Sequence, residues 1–177
     1  MGKLRINMLS KADSVDGQGV GSAYLEQVAL IKECDDIFDV TVNEGGSKFD
    51  IVHVHTINPQ YYLKMNNKHV NVCYVHMLPD TLDGSIKLPK GLFKLFKRYV
   101  TKFYRKADEI VVVNPIFINP LVDLGIKKDR ITYIPNYVSK DQFHVTSEEK
   151  RMEVRDLYGV PRDRFVVLGV GQVQTRK

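Results

Sequence analysis

Short β-branched runs alternate with helical patterns along the chain at the spacing of βαβ units. Leu4–Leu9 predicts a first strand, Val20–Lys32 a helix, Phe38–Val42 and Ile51–His55 two strands, and Asn71–His76 another. A helix over Gly91–Lys106 follows, then a strand at Glu109–Val113, a helix over Pro115–Leu124 and a strand at Ile131–Ile134. Ser147 stands ahead of Glu148 and Glu149, a capping residue before an acidic first turn, and opens a charged helix. That helix runs to about Tyr158, where Gly159 and Pro161 stop it. The last apolar run, Phe165–Val170, leads into Gly171-Gln172 and then Arg176-Lys177, the form of a buried parallel strand opening into a glycine turn at the start of an α/β domain. The order predicts an α/β fold with a doubly wound, Rossmann-like parallel sheet over residues 1–160. Residues 161–177 read as a linker and the first strand of a second domain, so chemistry that needs both domains is expected to be incomplete here. Sheets of this kind hold their ligands beyond the carboxyl ends of the strands.

Placing Gly91–Lys106 on a helix at 100° per residue gathers Leu92, Phe93, Leu95, Phe96, Tyr99, Val100, Phe103 and Tyr104 within one half-turn. Lys94, Lys97, Arg98, Lys102 and Arg105 fall opposite. The formal net charge is +5, and its distribution matters more than its sum. Lys87–Lys106 holds eight basic residues and no acidic one, leaving 18 basic against 21 acidic elsewhere, so the whole positive excess sits in this stretch. Such a helix either packs its aromatic stripe on the sheet and shows water a charged face, or lies in the interface of an anionic membrane. Both can hold at once, with Leu92, Phe93 or Phe96 reaching lipid from the amino-terminal end. Lys90, Lys94, Lys97, Arg98, Lys102 and Arg105 are the candidate membrane-binding residues. Nucleic acid is disfavoured as a partner because the aromatic residues are not interleaved with the charges.

Composition is that of a mixed-charge globular chain with room for one sizeable core. No apolar run approaches the roughly 20 residues of a membrane-spanning helix, and Met1–Leu9 meets a polar loop too soon for a secretory signal, which predicts a cytoplasmic protein. Cys34 and Cys73 lack metal-ligand spacing and are expected as buried, reduced thiols.

The loops after the strands carry the candidate chemistry. After the first strand, Asp16-Gly17-Gln18-Gly19-Val20-Gly21-Ser22 leads into a helix, where glycines admit close backbone approach and free amides favour an anion. The spacing is neither the dinucleotide fingerprint nor a Walker loop, so a diphosphate site and an ordinary turn both remain open. His76 ends the Asn71 strand at the crevice, and His53 and His55 share one face of theirs, with His55 nearer any ligand and His53 structural. No carboxylate pair and no Ser-His-Asp arrangement supports a hydrolase.

Four segments in order resemble the family-4 glycosyltransferases, retaining enzymes of the two-domain GT-B architecture. Asp50-Ile51-Val52-His53-Val54-His55 is similar to their DVVHxH strand, and Val75-His76 to the strand whose histidine meets the donor sugar. Ile131–Val138 resembles their IxxIPNGVD segment, and Gly171–Lys177 the GRxxxxKG loop that opens the donor domain. The resemblance implies an amino-terminal acceptor domain working across a cleft against a nucleotide-sugar domain. It implies His76 as the catalytic residue against the hexose, Gly19 and Gly21 near the donor diphosphate, and Arg176 and Lys177 neutralising the leaving diphosphate. His55 and Asn136 fall at the acceptor crevice. No cofactor and no metal is implied, the nucleotide sugar being a substrate, and the sequence shows no metal-ligand cluster. Gln18, Tyr137 and Gln172 depart from the family pattern, and Gln172 cannot supply the charge of the usual phosphate-binding arginine. The family's EX7E motif would lie beyond Lys177, so this chain alone is expected to be inactive in transfer.

A narrower resemblance bears on the acceptor. Gly17–Tyr24 and Tyr74–Ser85 are similar to Gram-positive enzymes that add a second hexose to monoglucosyl-diacylglycerol, which implies UDP-glucose or UDP-galactose as donor and a glycolipid acceptor. The basic helix agrees, because a lipid acceptor held in an anionic bilayer calls for an interfacial dock on its inner face. A polysaccharide or teichoic-acid precursor as acceptor, and a non-enzymatic nucleotide- or nucleic-acid-binding module, are the competing readings. The oligomeric state is left open.

Overall fold

The computed structural model describes residues 2–12, 19–46, 48–80, 89–141 and 143–169, with Lys90 described by its backbone alone. Six strands form one sheet: β1 (Leu4–Leu9), β2 (Phe38–Val42), β3 (Ile51–Val54), β4 (Val70–Val75), β5 (Glu109–Val112) and β6 (Ile131–Tyr133). They lie in the order β2-β1-β3-β4-β5-β6, and every pairing is parallel. The order reverses beside β1, so the carboxyl ends of β1 and β3 flank the switch point where such sheets bind ligands.

Strand alternation decides what lies on each face. Ile6 and Met8 of β1 and Ile51 of β3 pack with Tyr24 and Val28 of α1 (Gly19–Lys32) on one side. On the other side, Val52, Val54, Cys73, Val75, Ile110 and Val112 pack under α3 (Lys90–Lys106), which contributes Val100, Phe103 and Tyr104. α2 (Pro59–Lys64) buries Tyr61 in the same core, and α4 (Ile118–Asp123) buries Leu121. The sheet is thus covered on both faces, as parallel sheets require. At its amino edge, two carboxylates hold neighbouring strands. Asp50 accepts from Arg5 N at 2.8 Å, and Asp108 accepts from Asn71 N at 2.8 Å and from Asn71 Nδ2 at 2.7 Å.

The contacts separate two compact units, the first running to Tyr137 and the second starting at Val138. The second contains α5 (Glu148–Leu157), capped by the Ser147 hydroxyl, which accepts from Lys150 N at 3.2 Å. Gly159 ends it in the left-handed region at φ +63°.

Three local expectations are corrected and one element is added. Pro115–Leu124 is not one helix: a 3-10 turn at Pro115–Phe117, capped by Asn114, precedes α4, because Pro120 cannot donate back into the turn before it. α2 was not expected from the sequence, although Asn58-Pro59 is a helix start with proline in the first turn. Phe165–Gly169 forms no strand, and Phe165 and Val167 are exposed, since no neighbouring strand among the described residues pairs with the run. Cys34 is exposed just past the end of α1, while Cys73 is buried as expected and its thiol is pushed up by burial.

Candidate functional site

Alternation along β3 and β4 brings the candidate histidines together. His53 and His55 follow Ile51 on the α1 face, and Tyr74 and His76 take the equivalent positions on and just beyond β4. The imidazole of His55 stacks on Tyr74 with ring centroids 5.0 Å apart, lies 4.6 Å from His53 and meets the edge of Tyr24 at 4.9 Å. His76 Nε2 approaches His55 Nδ1 at 3.4 Å, a long hydrogen bond that only one of the two rings can donate. The cluster is tied to its surroundings through tyrosines. Tyr24 donates to Met8 O at 2.9 Å, and Tyr74 donates to Ile134 O at 3.1 Å, while the Gln27 side chain hydrogen-bonds the Tyr74 phenol.

Burial sets the charge state of these rings. His53 and His55 are both buried. His53 is lowered to about 4, first by desolvation and then by the charge His76 would carry. His76 is lowered to about 4 by desolvation, and His55 falls well below the ordinary histidine value for the same reason, reinforced by its two histidine neighbours. All three are neutral at pH 7. The site therefore offers imidazole hydrogen bonds at the crevice, not positive charge. His53 Nε2, His55 Nε2 and Gln27 Oε1 are buried without a hydrogen-bond partner among the described residues.

A cavity of about 370 Å³ opens beside this cluster, within the size range of small-molecule sites. His55, His76 and Tyr74 close one end. The β3–α2 loop lines it with Thr56, Ile57 and Asn58, and α3 lines it with Phe96, Tyr99 and Tyr104. Both loops that follow the histidine strands hang on α3: Tyr99 donates to Ile57 O at 2.7 Å and Tyr104 donates to Met77 O at 2.8 Å.

The other sequence candidates fall around this centre. Gly19 starts α1 with nothing within 4 Å of a Cβ placed there, whereas a Cβ on Gly21 would stand 2.7 Å from Ala12 O. Gly21 is thus required by packing of α1 on the end of β1. Asn136 is exposed, two residues past Ile134, whose N donates to Val112 O at 3.0 Å. Arg176 and Lys177 lie outside the described residues, as does the glycine loop over 13–18. On α3, Lys94, Arg98, Lys102 and Arg105 are exposed, while Lys97 is half-buried and paired with Asp80. Leu92 and Leu95 are 53% and 62% exposed, and Phe93 and Phe96 are half-buried. Among the described residues, no helix is long and apolar enough to cross a membrane, and no three His, Cys, Asp or Glu side chains are arranged to hold a metal ion.

The sequence reading overlooked Tyr74, Gln27 and the aromatic cavity wall. Tyr74 could have been found, since it stands two residues before His76 and so shares its face. Gln27 could not, because its approach depends on how α1 crosses the sheet.

The profile of Glycosyltransferase Family 4 matches residues 40–142, which hold both histidine strands, α3 and the segment leading to Asn136. The chain belongs to Glycosyltransferase Family 4. It is 45% identical over 179 residues to the alpha-galactosylglucosyldiacylglycerol synthase of Streptococcus pneumoniae (strain ATCC BAA-255 / R6), a match covering 99% of this chain and 48% of that protein. Crystal structures of Anabaena Alr3699/HepE in complex with UDP and glucose, and with UDP-glucose, match with TM-scores of 0.56 and 0.57. Their identities are 12% and 10%, and each match covers 88% of this chain and 50% of that one. These likenesses show the fold, an α/β Rossmann-like half of a GT-B glycosyltransferase. The family member described here spans about half the length of the relatives it matches.

Proposed function

We propose that this chain is the acceptor-side half of a retaining glycosyltransferase that moves a hexose from a nucleotide sugar to a membrane glycolipid such as monoglucosyl-diacylglycerol. The observation that carries the reading is α3. Its inner residues wall the cavity beside His55 and His76, and its outer side presents exposed leucines and basic residues. A helix of that form lies in an anionic interface with its apolar side in the lipid, which brings a membrane-held acceptor to the crevice. The named product of the streptococcal relative supports a glycolipid acceptor, and the UDP and UDP-glucose held by the Anabaena structures support a uridine nucleotide sugar. UDP-glucose and UDP-galactose are the donors to try.

In this reading His76 is the catalytic residue. A neutral imidazole fixed by His55 hydrogen-bonds a hydroxyl of the transferring hexose without placing a charge beside a carbon that becomes positive. The diphosphate meets Gly19 and the cations Arg176 and Lys177, so no metal and no cofactor takes part. Nucleic acid is not a partner, and the protein works in the cytoplasm, held peripherally on the inner face of the cell membrane.

The test uses the protein at the full length of its relatives, with labelled UDP-glucose or UDP-galactose and vesicles containing monoglucosyl-diacylglycerol. Label is expected in a slower-migrating glycolipid. His76→Ala is expected to lower that transfer by about 100-fold or more while the melting temperature changes little. Label moving onto a water-soluble glycan alone would shift the acceptor to a polysaccharide or teichoic-acid precursor, and label left in the nucleotide sugar would remove the reading.

A further inference from the structure

We infer that the cavity between the histidine cluster and α3 is a subsite for the alkyl portion of a glycolipid, with Phe96 and Val20 as specificity-determining residues on its opposite walls. The inference rests on the glycolipid reading and says which part of the acceptor this cavity takes.

The cavity is two-ended. The imidazoles of His55 and His76 line it at the strand ends. The remaining wall is mostly apolar, formed by Val20, Ile57, Pro59, Met77, Phe96 and Tyr99, with Thr56 and Asn58 as its polar members on the β3–α2 loop. The three tyrosines that reach the cavity do not change this. Tyr74, Tyr99 and Tyr104 already donate their hydroxyl hydrogens to Ile134 O, Ile57 O and Met77 O. Each therefore turns mainly ring surface to the space. A free sugar, with hydroxyls on every edge, would leave most of its polar groups against carbon, at a cost of unmade hydrogen bonds. An alkyl glycoside matches both ends, with a hydroxyl at the imidazoles and methylenes along Phe96.

The cavity is also continuous with the surface assigned to lipid. Phe93 and Phe96 are in ring contact at 6.4 Å, and Leu92 and Leu95 on the same helix are exposed. Lys94, Arg98 and Lys102 flank them, in position for anionic headgroups. A glycolipid can thus keep its chains beside α3 while its glycerol end and first methylenes enter between α3 and the β3–α2 loop.

Methyl, hexyl and octyl β-D-glucoside, each below its micelle concentration, are titrated by calorimetry against the intact protein. Binding is expected to tighten about two- to fourfold for each methylene that enters the cavity. Val20→Phe, which fills the cavity from α1, and Phe96→Ala, which removes its wall, are each expected to flatten that dependence, with circular dichroism confirming the fold. A nitroxide at the end of an octyl chain gives a readout free of substitutions: it should broaden the amide signals of Ile57 and Met77. Equal affinity for methyl and octyl glucoside, a chain-length dependence retained by both folded variants, or broadening confined to Leu92 and Leu95 would each overturn the subsite. Transfer to glycolipid vesicles is measured in parallel. Transfer without alkyl dependence removes this inference alone, whereas alkyl dependence without transfer removes the glycolipid-transfer reading and leaves the subsite.

Discussion

Gly21 and His53 do work that no ligand is needed to explain, and each can be measured. A methyl at Gly21 would press on Ala12 O, a backbone atom, so Gly21→Ala is expected to destabilise by about 1–2 kcal/mol despite the better helix propensity of alanine. Gly19→Ala, with open space around it, should stay within about 0.5 kcal/mol of the parent in the same urea titration. Equal losses at the two sites would refute the packing assignment. His53 gives a pH dependence whose sign is fixed by its lowered value of about 4. In the unfolded chain it takes a proton near 6.5, and in the fold it does not until about 4. The unfolded state therefore binds more protons throughout that window, and stability falls as the pH drops through it, by up to about 3 kcal/mol from this one ring. Above pH 6.5 the effect is absent. Urea midpoints from pH 7.5 to 4.5 should slope less steeply in His53→Gln; superimposable profiles would show that His53 does not carry it. The sequence made the shared face of His53 and His55 legible through period-two alternation, and the same rule would have added Tyr74. It could not show that His55 Nε2 lacks a partner among the described residues, because that depends on the packing of three strands and a helix.

At the scale of elements, α3 divides along its length as well as around its axis. Val100, Phe103 and Tyr104 in the second half are buried, while Leu92 and Leu95 in the first half are exposed. Replacing Lys94, Lys97, Arg98 and Lys102 together with Gln is expected to weaken binding to anionic vesicles at least tenfold with the fold unchanged, given about 1 kcal/mol for each basic residue near such a surface. Lys97 should contribute least, because Asp80 already pairs with it. Sedimentation with vesicles decides this, and unaltered sedimentation would leave α3 as a helix that merely packs on the sheet. The helix was legible in the sequence because its apolar and basic residues separate at 100° per residue. The pairing with Asp80 was not, since the two partners stand 17 positions apart in the sequence. Phe165–Gly169 shows the opposite failure. An apolar run specifies a strand only where another strand meets it, and the run itself carries no information about that neighbour.

For the molecule as a whole, the order of strands followed from the alternation of β-branched runs and helical patterns, and the parallel sheet with helices on both faces follows from that order. The positive excess lies within one stretch, so the proposed attraction to an anionic bilayer would be directional. Vesicle binding should therefore fall steeply between 0.1 and 1 M salt, as the screening length shrinks from about 10 to about 3 Å, and should be weak on neutral vesicles at any salt. Binding to neutral vesicles as tight as to anionic ones would mean that the leucines act without the charges. Tyr99 and Tyr104 have a consequence at this scale. Their hydroxyls tie the backbone just past each histidine strand to the one helix α3. Under the proposed docking, a bilayer that drew on α3 would be felt at His55 and His76 through those two bonds.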